Sequence, residues 1–187
     1  VAEEMAQSRR MSEAKTQRVA EQKKSREVAA NTVDLIWSQA GVASSEHPYL
    51  QRKGIAPHGA RITGDGRLML PLYDEHGVLS TLQYIDADGK KLYHPGGQTG
   101  GMFNILGVLD DADTLYIAEG SATAATIQEA TGKPCAVAYS ASNLVPVVGI
   151  LKATHPTLDI CIVADNDLSG VGQRYAEQAS AKFGVRM

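Results

Sequence analysis

No apolar run in this chain approaches the roughly 18 residues that a membrane-crossing helix needs. The first residues include Glu3, Glu4, Arg9 and Arg10, which is not the pattern of a secretory leader, so a cytoplasmic protein is expected. Cysteine is scarce. Cys135 and Cys161 form no CxxC pair, which excludes a zinc ribbon, and each sits in an apolar run, as a small core residue does. Positive charge is not in surplus either. With 18 Lys and Arg against 21 Asp and Glu the net charge is -3, so any contact with nucleic acid must come from a local basic patch. The five histidines show no paired spacing and are not read as metal ligands. No internal repeat or low-complexity tract is evident.

What remains is an ordinary globular composition, 43% hydrophobic and 21% charged over 187 residues, enough for one domain or two small lobes. The sequence opens on Val1 rather than Met, and a piece of a longer protein is expected. Residues 1–41 form a charged helix or linker, free of Gly and Pro before Gly41, with few apolar positions through residue 27. Val33, Leu35, Ile36 and Trp37 could anchor its end, with Gly41 as the stop. Residues 42–113 read as a small antiparallel lobe. SSEHPYLQRKG predicts a short helix capped by Ser44 or Ser45 and stopped by Gly54. RLMLPLYD, VLSTLQYID and KKLYH predict strands separated by EHG and DADG turns. GGQTGG then breaks the pattern, and MFNILGVL closes the region. The glycines of GGQTGG suit either a loop closing over phosphates or a plain mobile loop.

The rhythm changes in residues 114–187. TLYIA, PCAVAYS and LDICIVA are short apolar runs alternating with helical segments, which predicts α/β architecture with a parallel sheet flanked by helices. Pro146 must then fall in the first turn of its helix. VRM begins another strand, and truncation of this domain at its C-terminus is expected. In open parallel sheets function collects at the carboxyl ends of the strands. Here those ends carry Glu119-Gly120 and Asp165-Asn166-Asp167. Residues two apart on an extended segment point the same way, so Asp165 and Asp167 can face one hard cation, with Glu119 sharing it or taking a proton from an attacking hydroxyl. Alone, a Glu-Gly is a turn and an Asp-x-Asp a solvated loop or helix cap. Together, at matching strand ends, they point to phosphoryl-transfer chemistry.

LYIAEG followed by a helix, and later ICIVADNDLSG, resembles the Toprim domain of DnaG-like primases, topoisomerases and some nucleases. AEGSATAATI is similar to the Glu-Gly-Tyr-Ala-Thr motif of plasmid and phage primases, with Ser121 in place of the Tyr. The segment from Arg67 to Gly107 and the opening HPYLQRKGI resemble the lobe that precedes Toprim in such primases. The resemblance implies a primase core making short RNA primers on a single-stranded DNA template from ribonucleoside triphosphates, in a plasmid, phage or other mobile element. Glu119, Asp165 and Asp167 would be catalytic and hold Mg²⁺ or Mn²⁺. A basic lobe would guide template and nucleotide, with Arg52, Lys53, Arg61, Arg67, Lys90 and Lys91 as candidates against a background of ordinary surface charge. Lys91 is favoured because Tyr93 and His94 beside it could stack on a base. A helicase or other domains of the parent protein would be partners, and no membrane. The resemblance departs at Thr123, near which replicative primases carry a further Asp, and in the lack of a zinc module. A Toprim nuclease, or a non-catalytic metal- or DNA-binding Toprim module of a larger replication or conjugation protein, would use the same carboxylates.

Overall fold

The computed structural model describes residues 2–165 and 170–187. Helix α1 spans Ala2–Gln39. Every residue from Arg9 to Val28 is exposed, so this stretch makes its own helix from good helix formers, with pairs such as Arg9–Glu13 adding little in solvent. Apolar docking starts at Ala29. Ala29 and Val33 are buried, and Ile36 and Trp37 pack beside them, a spacing that keeps one helical face inward. Leu35 lies off that face and is 58% exposed, so it is not part of the anchor expected from sequence. The helix ends two residues before Gly41, which begins β1 and does not take the left-handed conformation of a glycine cap. Arg61 donates to the carbonyls of Trp37, Ser38 and Ala40 at the helix end, with its guanidinium 4.8 Å from the Trp37 ring centroid.

An antiparallel sheet follows, with β1 (Gly41–Val42), β2 (Arg61–Ile62), β3 (Leu68–Tyr73), β4 (Leu79–Ile85) and β5 (Lys91–Tyr93) adjacent in that order. Pro71 is tolerated inside β3 because β2 pairs only with Leu68 and Met69, leaving the Pro71 nitrogen without a ladder partner to lose. One face of the sheet packs on α1 through Met69, Leu82 and Tyr84. The other holds Leu68 and Ile85 against α2 (Pro48–Lys53). The cap of α2 is His47 rather than a serine. His47 Nδ1 accepts from Tyr49 N at 3.2 Å, and its Nε2 lies 3.0 Å from the Gly66 carbonyl, which sets the ring's tautomer with the proton on Nε2. Ser44 instead accepts from Glu46 N in the preceding turn. Gly54 ends α2 with φ 64, the left-handed stop expected of it.

The second sheet has the order β6-β8-β7-β9, formed by β6 (Asn104–Leu106), β7 (Thr114–Ala118), β8 (Cys135–Val137) and β9 (Asp159–Val163). β8, β7 and β9 are parallel, and β6 runs antiparallel to β8. The MFNILGVL segment therefore contributes its strand to this sheet, whereas its sequence position groups it with the antiparallel meander. Alternation along β7 sends Leu115 and Ile117 to one face, against α4 (Leu144–Thr154) and α5 (Val171–Phe183). Ala118 goes to the other face, with Val137 and with Ala124 and Ala125 of α3 (Ser121–Thr131). Leu72 and Leu70 of the antiparallel sheet pack into that second layer, so the two sheets share a core. Pro146 sits in the first turn of α4. Cys135 is fully buried, which raises its thiol pKa to about 12, while Cys161 is only half-buried. Arg186 exchanges backbone hydrogen bonds with β9, to Ile160 and Ile162, so the last residues do begin another parallel strand. No helix of the described residues is long and apolar enough to cross a membrane.

Candidate active site

β7 and β9 are hydrogen-bonded neighbours in parallel register, with Ala118 opposite Val163. Glu119 follows the first strand directly, and Asp165 lies two residues beyond the end of the second, so both half-buried carboxylates emerge at the same sheet edge. Gly120 is the extended residue from which α3 starts, and in the first turn of that helix Thr123 donates its hydroxyl to Asp165 Oδ1 at 3.4 Å. The position that departs from the replicative-primase pattern thus touches one of the two carboxylates. Gly172, in the first turn of α5, closes the other side. A Cβ there would lie 3.2 Å from Glu119 Oε2 and within 4 Å of the Asp165 backbone, so glycine lets the helix come up to the carboxylate. Asp167 lies outside the described residues.

Two hard oxygen donors at one edge suit Mg²⁺ or Mn²⁺, which take few protein carboxylates and complete their shell with water and phosphate. Among the described residues no group of three His, Cys, Asp or Glu comes together. The donor set therefore fits such an ion as two carboxylates, with Asp167 as the further candidate.

The basic residues named from sequence separate into two kinds. Lys91 lies within electrostatic reach of both carboxylates, with Lys53 near it. Lys91 remains solvent-accessible, yet the protein around it disfavours its charge and lowers its pKa, Lys53 lowers it further, and Glu119 and Asp165 act in the opposite direction. Lys90 is exposed beside it. The three arginines are engaged within the fold. Arg61 caps α1, and Arg67 pairs with Asp65 at 2.9 Å and lies over the Tyr84 ring. Arg52 donates to the Ala87 carbonyl and lies over Tyr49. Their positions are explained by packing. His94 does not stand free beside Lys91 for stacking. Its Nδ1 lies 3.0 Å from the Tyr84 hydroxyl, and burial lowers its pKa.

Sequence reasoning did not find Gly172 at this edge, nor the hydrogen-bonding roles of Thr123, Tyr93 and Tyr139. Tyr139 follows β8 with φ 67, a left-handed backbone uncommon for a bulky residue. Its hydroxyl donates to the Pro71 carbonyl at 2.7 Å, and its own carbonyl accepts from the Tyr93 hydroxyl at 2.9 Å. Burial raises the pKa of both phenols. A second device joins the sheets nearby: buried Asn143 accepts from Gly101 N and donates to the carbonyls of Met102 and Ala138. The glycine loop itself is tied down. Gly97 lies against Thr81, Gly96 against Ser25 and Ala29, and Gln98 accepts from Arg26 at 2.9 Å.

Residues 114–184 match the family described as Toprim domain. Two Escherichia coli proteins named DNA primase TraC are 32% and 35% identical over 155 and 156 residues, covering 80% and 81% of this chain. The chain spans only 15% and 11% of the length of those relatives. Among solved structures, a DnaG primase catalytic domain bound to single-stranded DNA is similar with a TM-score of 0.56 at 14% identity, over 88% of this chain and 68% of that one.

Proposed function

Because residues 114–184 are a Toprim domain and the chain is a relative of the TraC primases, we propose that it is a primase core joining ribonucleotides on a single-stranded DNA template. One observation carries this reading beyond a Toprim site in general. An alignment of 155 residues cannot fit within 114–184, so the likeness to the TraC primases takes in the antiparallel lobe as well. A bare Toprim nuclease or binding module gives no reason for that lobe to be kept. We assign residues 42–113 to a template- and nucleotide-guiding lobe and 114–187 to the Toprim domain. The setting is a cytoplasmic replication or conjugation protein of a plasmid, phage or other mobile element, with a helicase or further domains as partners.

Glu119, Asp165 and Asp167 would hold Mg²⁺, or Mn²⁺ by the same ligand chemistry, which supplies positive charge against the reacting phosphates. Glu119 stands where it can take the proton of an attacking hydroxyl. Thr123 orients Asp165 through its hydroxyl. Lys91 and Lys53 offer cations on the facing lobe for the triphosphate.

The test is primer synthesis on single-stranded DNA with labelled ribonucleotides and Mg²⁺ or Mn²⁺. Wild type yields short oligonucleotides. Glu119→Gln and the pair Asp165→Asn with Asp167→Asn each lose about a hundredfold or more, the scale of removing a charge-stabilising group from a transition state. Full activity in both folded variants would overturn the site. Cleavage of DNA without dependence on triphosphates would replace primase by nuclease.

A further inference from the structure

We infer that Tyr93 is a positioning residue, whose hydroxyl, bonded to the Tyr139 carbonyl, holds β5 so that Lys91 faces the carboxylates of Glu119 and Asp165. This rests on the primase reading for its functional meaning, though the anchoring itself does not. β5 is three residues long and lies at the edge of its sheet, paired to β4 alone. A strand this short and paired on one side is poorly held by its own ladder. Alternation places Lys91 and Tyr93 on one face and Leu92 on the other. From that face the Tyr93 hydroxyl reaches Tyr139 O, just past the end of β8 and beside the end of β7 that carries Glu119, and the Glu119 charge favours the protonated forms of both Lys91 and Tyr93.

The Tyr93 hydroxyl spans from this edge to the second sheet, donating to Tyr139 O at 2.9 Å, while its backbone sits opposite buried Gln83 of β4. The acceptor is itself fixed. Tyr139 adopts φ 67, and its hydroxyl is held by Pro71 O. The preceding residue, Ala138, donates from its backbone to Ala118 O at 2.8 Å, next to Glu119. A short path therefore runs from Lys91 along β5, across the phenol to Tyr139, and over one backbone bond to the residue before Glu119. Cation and carboxylate are carried by different sheets, and this path fixes their separation.

The test uses Tyr93→Phe, which removes one oxygen and keeps the ring. Hydrogen exchange should rise at the amides of residues 91–93, with β7 and β9 unchanged. Unchanged exchange in β5 overturns the anchor whatever the activity. Primer synthesis by wild type, Tyr93→Phe, Lys91→Met and the double variant then completes a cycle. Tyr93→Phe should lower kcat/KM about tenfold, within the range seen for small misplacements at a reacting centre. In the Lys91→Met background it should change it less than about twofold, because the group it positions is gone. An undiminished effect in that background overturns the role through Lys91. If wild type makes no primers, the primase reading fails, and hydrogen exchange alone decides the anchor.

Discussion

A methyl group added at Gly172 would meet Glu119 Oε2 at 3.2 Å, tighter than nine in ten real Cβ contacts, while the backbone there is ordinary helix. Alanine is a better helix former than glycine, by up to about 1 kcal/mol at interior positions. Gly172→Ala is therefore expected to leave thermal stability unchanged or slightly raised and to lower primer synthesis by about tenfold through displacement of the carboxylate, in keeping with the cost of small misplacements. Melting curves beside activity assays check it, and a loss of both together would mean that the glycine serves packing alone. At this scale the sequence was informative about Glu119 and Asp165, because a strand-end rule needs only local pattern. It could not show Gly172, Thr123 or Tyr139, whose roles exist only once α5, α3 and the antiparallel sheet arrive beside them. Arg61 is the reverse case. A lone cation near a phosphate-chemistry domain invites a binding role, and only the structure places it on the last carbonyls of α1.

Among the elements, the loop between β5 and β6 is fastened most tightly where its glycine is most needed. A Cβ on Gly97 would fall 2.0 Å from Thr81 Oγ1 and 2.5 Å from Thr81 Cβ, and Thr81 is fully buried. Relief requires the loop or β4 to shift. Gly97→Ala should cost about 1–3 kcal/mol, the range for overpacking. For a chain of this size that lowers Tm by a few degrees. Differential scanning calorimetry checks it, and an unchanged Tm would show that the loop yields freely. The three parallel strands were legible because each is a short apolar run, largely buried on both faces in β7 and β8 and on one face in β9. The true helix signals were less so. His47 caps α2 with a ring nitrogen, which no serine-based rule anticipates, and β6 leaves its neighbours in sequence to pair with a strand of the second sheet.

At the scale of the whole molecule, α3 is tied to the loop that follows α2. Glu129 at the end of α3 accepts from Ala56 N at 2.8 Å and lies 2.6 Å from His58 Nε2. The Ala56 amide first, and then His58, lower the Glu129 pKa below its ordinary 4.5. A carboxylate depressed in the folded state stabilises above its unfolded pKa and loses that contribution as pH falls through the folded one. Wild type should lose stability on acidification below about pH 4.5 more steeply than Glu129→Gln. At pH 7 the variant should be the less stable by about 1 kcal/mol or less, since the carboxylate is partly exposed. Denaturant titrations at both pH values check this, and parallel curves would remove Glu129 from the account. The charge balance also reads differently at this scale. Residues 42–113 contain more Asp and Glu than Lys and Arg, so the lobe is not basic in bulk, and Lys53, Lys90 and Lys91 act as a local patch.

The placement of β6 has a further consequence, for the order of events in time. Its partner β8 lies beyond β7 and α3, so Asn104–Leu106 cannot find Cys135–Val137 until that intervening chain has been made and folded back. During synthesis the antiparallel meander can close early, because each of its strands follows its partner directly. β6 then waits as an open edge, tethered to the finished meander through the Tyr73–Phe103 bridge and presenting unsatisfied backbone to the solution. The same strand that joins the two sheets in the mature molecule is thus the one left longest without a partner while it is being built.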